Sequence, residues 1–225
     1  MENTTMMKSD VAMTAEHYTT LQQIIEGRHA VRHYDETFEI AKEEIKQLLE
    51  LATRAPSSSN LQPWRIIVVD DKQLQQQIVP IASNQQQVAQ ASAVILLFAD
   101  TKMYEKSEQV AEAAYVAGIA DQPLRDRMVA SFRKQYGAMT DDRLKSIALF
   151  DAGMIAMNIM LLAKARGYET GPMGGFDHEQ LKQLFGISDR YVPALMMPIG
   201  KAASPGRPTA RMPISEVIAF NQSFD

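Results

Sequence analysis

Ala55-Pro56-Ser57-Ser58-Ser59-Asn60-Leu61-Gln62-Pro63-Trp64-Arg65-Ile66-Ile67-Val68-Val69 leads from the end of a helix pattern, through a polar connection, into an apolar run. Pro56 and Pro63 fix φ near both ends of the connection and bias the residues before them away from the helix. Ile66 to Val69 is β-branched throughout, which predicts a short buried strand. Between the prolines lie three hydroxyls and two carboxamides, so a stiff loop of neutral donors and acceptors is expected. Nothing in it titrates near neutrality. It therefore suits a polar ring or sugar-phosphate ligand better than proton-transfer catalysis.

Upstream, Ile45, Leu48, Leu49 and Ala52 repeat at helical spacing and stop before Pro56, and Tyr18, Leu21, Ile24 and Ile25 form an earlier stripe. Downstream, Leu74, Ile78 and Ile81 predict a helix after Asp71, Ala93 to Ala99 a second buried strand, and residues 105–120 another helix. Residues 121–140 are mixed and charged, contain Pro123 and Gly137, and read as an excursion from the core. Asp141 or Asp142 is expected to cap a long helix running to Arg166, with Gly167 as its left-handed stop. That helix is apolar nearly all round and carries Ala148, Ala152, Gly153 and Ala156, so it should be central and closely packed. Asp177-His178-Glu179-Gln180 has the pattern of a capping box for a helix to Phe185, and Val192 to Ile199 is a third strand. Strands separated by helices predict an α+β or α/β layered domain. One domain is expected over residues 16–225, behind a loose polar arm at residues 1–15.

The formal net charge of -4 argues against nucleic-acid or anionic-membrane partners. The absence of cysteine excludes disulfides, thiol catalysis and cysteine-ligated metal. No apolar run reads as long enough to cross a bilayer, and Met1 to Ala15 lacks the apolar centre of a secretory signal, so the cytoplasm is the expected compartment. No Gly-x-Gly-x-x-Gly turn follows a strand and no P-loop is present. His29 and His33 lack a His-Glu-x-x-His pattern or a third ligand, so no metal site is expected. The serines lack the Gly-x-Ser-x-Gly elbow of a hydrolase.

Arg28 and Arg32 flank His29-Ala30-Val31. Their spacing places both guanidinium groups on one face whether the chain there is helical or extended, and paired forks suit a phosphate. The competing reading pairs them with acidic surface residues around Glu43 and Glu44.

Four segments together resemble the nitroreductase family of flavin enzymes, in the family's order. They are Arg28-His29-Ala30-Val31-Arg32-His33-Tyr34, Ala55 to Trp64, Gly171-Pro172-Met173-Gly174-Gly175-Phe176-Asp177, and Arg207 to Pro213. The resemblance implies an α+β fold, with a mostly antiparallel central sheet surrounded by helices. It also implies an intertwined homodimer and an FMN cofactor reduced by NADH or NADPH. By the same resemblance Arg28, His29, Ala30, Arg32, Arg207 and Arg211 hold the phosphate, ribityl or pyrimidine side of FMN. Pro56, Ser57, Ser58, Ser59, Asn60 and Gln62 form the loop against the cofactor, with Ser58 supplied across the dimer. Asn84 and Gln87 lie near the pyrimidine, and Pro172, Met173, Gly174 and Gly175 run along the ring, where glycine permits close backbone approach. Three positions depart from the family pattern: Ala30 where serine is frequent, Gln87 where lysine is, and Thr209 where lysine is. They bear on the reduction potential, because positive charge near the ring stabilises reduced flavin.

The function implied is hydride transfer from NAD(P)H to flavin and then to a nitroaromatic, quinone or related electrophile. Both partners must reach one open flavin face, so ping-pong kinetics are expected. The flavin itself carries the chemistry, and no catalytic side chain is assigned. The competing readings are a family member acting on one metabolite, and a flavin-binding sensor or carrier without turnover. Trp64 is expected in the core, and Asp151 as a satisfied polar group within the long helix.

Overall fold

The computed structural model describes residues 15–221, 223 and 224, so the expected arm lies outside the described residues except for Ala15. The elements run α1 (Ala15–Gly27), α2 (Lys42–Ala52), β1 (Trp64–Val69), α3 (Lys72–Ile81), α4 (Gln87–Gln90), β2 (Ala93–Asp100), α5 (Ser107–Val116), α6 (Gln122–Gly137), α7 (Asp141–Ala165), β3 (Glu169–Thr170), α8 (His178–Phe185) and β4 (Tyr191–Gly200). The strands form one antiparallel sheet in the order β1-β2-β4-β3. The architecture is α+β.

β2 is buried at every residue because both of its faces are covered. Ala93, Ile95, Leu97 and Ala99 pack on one face with Ile45 and Leu48 of α2 and Ala148, Ala152, Ile155 and Ile159 of α7. Val94, Leu96 and Phe98 pack on the other with Ile78 of α3 and Leu181 of α8. This two-sided burial explains why the run is continuously apolar rather than alternating. Trp64 belongs to the first cluster and is 7% exposed.

Residues 121–140, read as an excursion, contain a regular helix. Asp121 accepts from the Leu124 amide at 2.8 Å, and Pro123 falls in the first turn, where its missing N–H costs nothing. α6 and α5 form a helical hairpin beside the sheet. The cap of α7 is Thr140, whose hydroxyl accepts from the Arg143 amide, and Asp141 and Asp142 occupy the first turn instead. There they favour the positive end of the helix dipole. Gly167 (φ 79°) and Gly186 (φ 63°) end α7 and α8. α7 also corrects the reading that no segment could span a bilayer. Its length and a mean hydropathy of 1.8 meet that test, but it packs against both sheet and α2 and contains buried Asp151.

Candidate functional site

α1 stops at Gly27, so the Arg28–Arg32 stretch takes the extended alternative. Ala30 forms a parallel bridge with Thr170, and the Val31 amide donates to the Thr170 carbonyl at 3.1 Å. Val31 is buried, while Arg28, Ala30 and Arg32 fall on the other side by strand alternation. The Tyr34 hydroxyl donates to the Pro198 carbonyl at 3.1 Å and fixes this stretch to β4. Burial, then the nearby Glu169 charge, pushes that phenol above its usual range, so it remains a donor. Pairing with acidic surface residues is not what is found. Glu43 faces Lys46, Glu44 accepts from the Tyr168 hydroxyl, and neither Arg28 nor Arg32 makes an ion pair among the described residues.

Gly171 lets two backbones touch, since a Cβ there would lie 2.5 Å from the Val31 carbonyl oxygen. Its amide donates to the Pro198 carbonyl, and Met173 exchanges backbone hydrogen bonds of 2.8 and 3.0 Å with Met196. From the opposite side, Ser83 and Asn84 adopt left-handed conformations (φ 55° and 60°) and turn the chain from α3 into α4. The result is a cleft of about 210 Å³ lined by Ala30, Val31, Arg32, Gln85, Gln87, Gly171, Pro172, Met173 and Gly175. Gln87 is buried and donates through Nε2 to the Gln85 side chain at 3.1 Å. Asn84 is exposed and does not line the cleft. The turn it makes delivers Gln85 there instead, a residue the sequence reading passed over inside a glutamine-rich run.

The C-terminal segment crosses the same place. A Cβ on Gly206 would sit 2.6 Å from His29 Cβ, so Arg207 follows directly on a contact with the Arg28–Arg32 stretch. Arg211 lies farther along, exposed, with its guanidinium donating to the Thr209 hydroxyl at 2.6 Å. It does not line the cleft, and neither do Arg28, His29, Gly174 or Arg207.

The serine loop is built differently. Ser59, Asn60 and Gln62 have φ of 50°, 54° and 47°, three left-handed positions without glycine, interrupted by Leu61 at φ -76°. All three hydroxyls bond within the protein. Ser57 Oγ accepts from the Gln62 amide at 3.1 Å, Ser58 Oγ donates to Asp151 Oδ1 at 3.1 Å, and Ser59 Oγ pairs with the Tyr136 hydroxyl at 2.8 Å. The Ser58 amide donates to Asp151 Oδ2 at 2.9 Å. Asp151 is 1% exposed. Burial pushes its carboxyl up, and the two Ser58 bonds oppose this. Pro56 and Asn60 are exposed.

Within one chain these two halves stay apart. The loop is anchored to α7, on the sheet face that carries α2, whereas Met173 packs in the cluster on the opposite face. The loop also enters β1, two strands away from the β4 residues that pair with Gly171 and Met173.

Two other features compete for attention. A cleft of about 740 Å³ lies between α2 and edge strand β1, where Lys42 already pairs with Asp70 at 3.1 Å. It gathers none of the residues singled out above. Asp100 is fully buried but receives Arg65 at 2.9 Å and Arg190 at 2.7 and 3.0 Å, a closed ion cluster at the sheet's end. Among the described residues no group of three or more histidines and carboxylates could hold a metal.

The cleft has two properties that a flat, phosphorylated ring would satisfy. Gly174 and Gly175 have no positive φ, and a Cβ at either would meet nothing within 4 Å. Neither strain nor packing within the chain calls for glycine there. Arg32 in its lining, and Arg28 and Arg207 on the chain segments next to it, have no carboxylate partners among the described residues. Comparison with known proteins points the same way. Residues 25–201 match the Nitroreductase family. Bacillus subtilis YdgI, named as an NAD(P)H nitroreductase, is 39% identical over 197 residues, covering 87% of this chain and 94% of its own. A CLA biosynthesis enone reductase of Lactiplantibacillus plantarum is 31% identical, covering 85% and 89%. A structure from Exiguobacterium sibiricum 255-15, described as a nitroreductase in complex with FMN, aligns with a TM-score of 0.86 at 40% identity, covering 89% of this chain and 97% of that one. This chain belongs to the nitroreductase family.

Proposed function

We propose that the protein is an FMN-dependent oxidoreductase that takes electrons from NADH or NADPH and delivers them to a nitroaromatic, a quinone or a related conjugated electrophile, acting in the cytoplasm. The observation that carries this is the cleft, where Arg32, without a carboxylate partner among the described residues, and Gly175, whose Cβ side meets open space, share one wall. Arg28, Arg32 and Arg207 would hold the phosphate end, and Pro172, Gly174 and Gly175 would lie along the ring. Gln87 would present a neutral amide to it. The chemistry FMN supplies is hydride acceptance from the nicotinamide and donation to the oxidant. The protein's part is to bind, orient and shield.

We further propose that the working form is a homodimer in which the second copy's serine loop completes each site. A 210 Å³ cleft is below the roughly 300–1,000 Å³ of small-molecule sites. Only 39% of the most apolar stretch of α7 is buried within one chain, and Phe150 and Met157 on that helix are exposed. Met212, Ile214, Phe220 and Phe224 of the C-terminal segment are also exposed. A second copy would cover such surfaces.

The enone reductase among the relatives supports α,β-unsaturated carbonyl compounds as one acceptor class, and specialisation for one such metabolite is the second reading. The test is the absorption spectrum of the purified protein, followed by turnover with varied NAD(P)H and a quinone. A flavin spectrum with FMN on release, and parallel double-reciprocal lines, are expected. A colourless protein that takes up no FMN overturns the assignment. A bound flavin that reduced nicotinamide does not bleach identifies a carrier, and intersecting lines overturn only the shared face.

A further inference from the structure

The serine loop holds a conformation that its own residues disfavour. Three non-glycine positions at positive φ persist only where the surroundings over-determine them. Three side chains from outside the loop do so, the first being Arg65 of β1, whose guanidinium donates to the Gln62 carbonyl at 3.0 Å. Asp151 receives both the amide and the hydroxyl of Ser58. Tyr136, at the end of α6 and 3% exposed, pairs with the Ser59 hydroxyl at 2.8 Å. The Tyr136 ring packs among Met103, Leu144 of α7 and the loop's own Leu61, so the hydroxyl is held by a buried cluster that joins α6 to the loop.

The proton count bears on what the loop can offer. The Ser58 proton is committed to Asp151. Ser57 Oγ accepts from an amide, which leaves its own proton free. Ser59 and Tyr136 share two protons and use one between them, so one remains to donate elsewhere. A loop released from Tyr136 would lose this arrangement together with its shape.

We infer that Tyr136 is a positioning residue for the cofactor. It ties the α5–α6 hairpin to the serine loop through Ser59 and so holds that loop in the shape its ligand meets. This rests on the loop being part of the FMN site. Tyr136 itself touches no reacting atom.

The test uses Tyr136→Phe, which keeps the ring and removes the hydroxyl, together with Ser59→Ala and the double variant. Two readouts are taken on the protein as purified: the rate of FMN release on dilution, and hydrogen exchange of the peptide covering residues 55–62. Each single variant should release FMN about three- to tenfold faster, the factor for one neutral hydrogen bond, and exchange faster in that peptide. The double variant should be no worse than either single variant, because both remove the same bond. The thermal midpoint should move little in all three. Tyr136→Phe with wild-type FMN release, or a double variant whose effect is the product of the singles, overturns the inference. Should Tyr136→Phe fold poorly, Ser59→Ala tests the same bond from the loop side. A wild-type protein without FMN would overturn the cofactor reading instead, and peptide exchange would still decide whether Tyr136 holds the loop.

Discussion

The cleft lined by residues 30–32, 85, 87, 171–173 and 175 and the loop formed by residues 57–62 are both polar, but their polar groups are in opposite states. In the cleft, Arg32 has no anionic partner among the described residues, and the Cβ side of Gly175 faces open space; Arg28 and Gly174, beside them in the chain, are in the same state. In the loop every serine hydroxyl already has a protein partner, and the backbone is strained. The cleft is therefore arranged around something the chain does not supply, and the loop is arranged to keep a shape. Binding to the first should be decided by charge and contact. Binding to the second should be decided by how well that shape is held.

Within the cleft, adjacent glycines separate fold from ligand. Gly171→Ala puts a Cβ 2.5 Å from the Val31 carbonyl oxygen and 3.1 Å from the Tyr34 hydroxyl. Neither neighbour is a flexible side-chain end, so the cost should reach about 3 kcal/mol, the upper part of the overpacking range. For a chain of this size the thermal midpoint should then fall by roughly 6–12 °C. Gly174→Ala should leave the stability within about ±0.5 kcal/mol, as is typical of surface changes, yet speed FMN release. Equal melting of the two variants would erase the distinction between a glycine needed for packing and one left open for a ligand.

Arg28→Ala and Arg32→Ala test the open charges. Each should weaken FMN binding by about 1.5–3 kcal/mol, the value of a charge-assisted hydrogen bond, with little loss of stability because neither side chain has a carboxylate to leave unpaired. Arg211→Ala should cost less, since that guanidinium is already held by Thr209. Fluorescence titration with FMN ranks the three. An Arg211 effect exceeding that of Arg28 and Arg32 would move the phosphate away from the cleft.

Gln87→Lys sharpens the comparison on the redox side. Gln87 is 7% exposed and lines the cleft with a neutral amide. A cation in the lining of the cleft would favour the reduced anionic flavin by about 1 kcal/mol. For a two-electron couple that is about 20 mV upward, measurable by dye equilibration. A potential unchanged or lowered would place the ring elsewhere.

Much of this was legible in the sequence because it rests on local rules. Asp177 caps its helix as the pattern predicts, with an amide bond of 2.9 Å, and the helix expected after Asp71 begins there, capped by Asp71 at 2.7 Å. The uninterrupted apolar run of β2 is a strand buried on both faces. Asp151 is hydrogen-bonded, as expected of a buried polar group. What the sequence could not show depends on distant partners. Capping α7 through Thr140 instead of Asp141 is a one-residue choice between equally good caps. α6 hid behind Pro123, which is harmful inside a helix and harmless in its first turn. β3, two residues long, exists only because β4 is beside it. The inward bonding of the serines follows from α6 and α7 arriving at residues 58 and 59, and composition carries no trace of that. The left-handed turn at Ser83–Asn84 likewise exchanged Asn84 for Gln85 in the cleft.

The smallest effect expected concerns the closed half, and its sign can be worked out. Burial raises the Asp151 carboxyl above the usual aspartate value of about 3.9, with the Ser58 bonds opposing. Between the unfolded and the raised folded value, the folded state binds the proton more tightly than the unfolded one. Stability therefore falls as pH rises through that window. The contribution is complete below the unfolded value and is lost by the time the pH has passed the folded one. Asp151→Asn keeps an oxygen to accept the Ser58 amide and has no proton to lose. The stability of the wild type minus that of Asp151→Asn should accordingly decline as pH climbs from about 4 towards 7, while groups common to both cancel. Urea unfolding of the two proteins across that range gives the difference directly. A difference that rises with pH would mean that the two bonds from Ser58 outweigh burial. The loop would then be held by an ionised latch, which acid would loosen, and not by a carboxylate tolerated in spite of its charge.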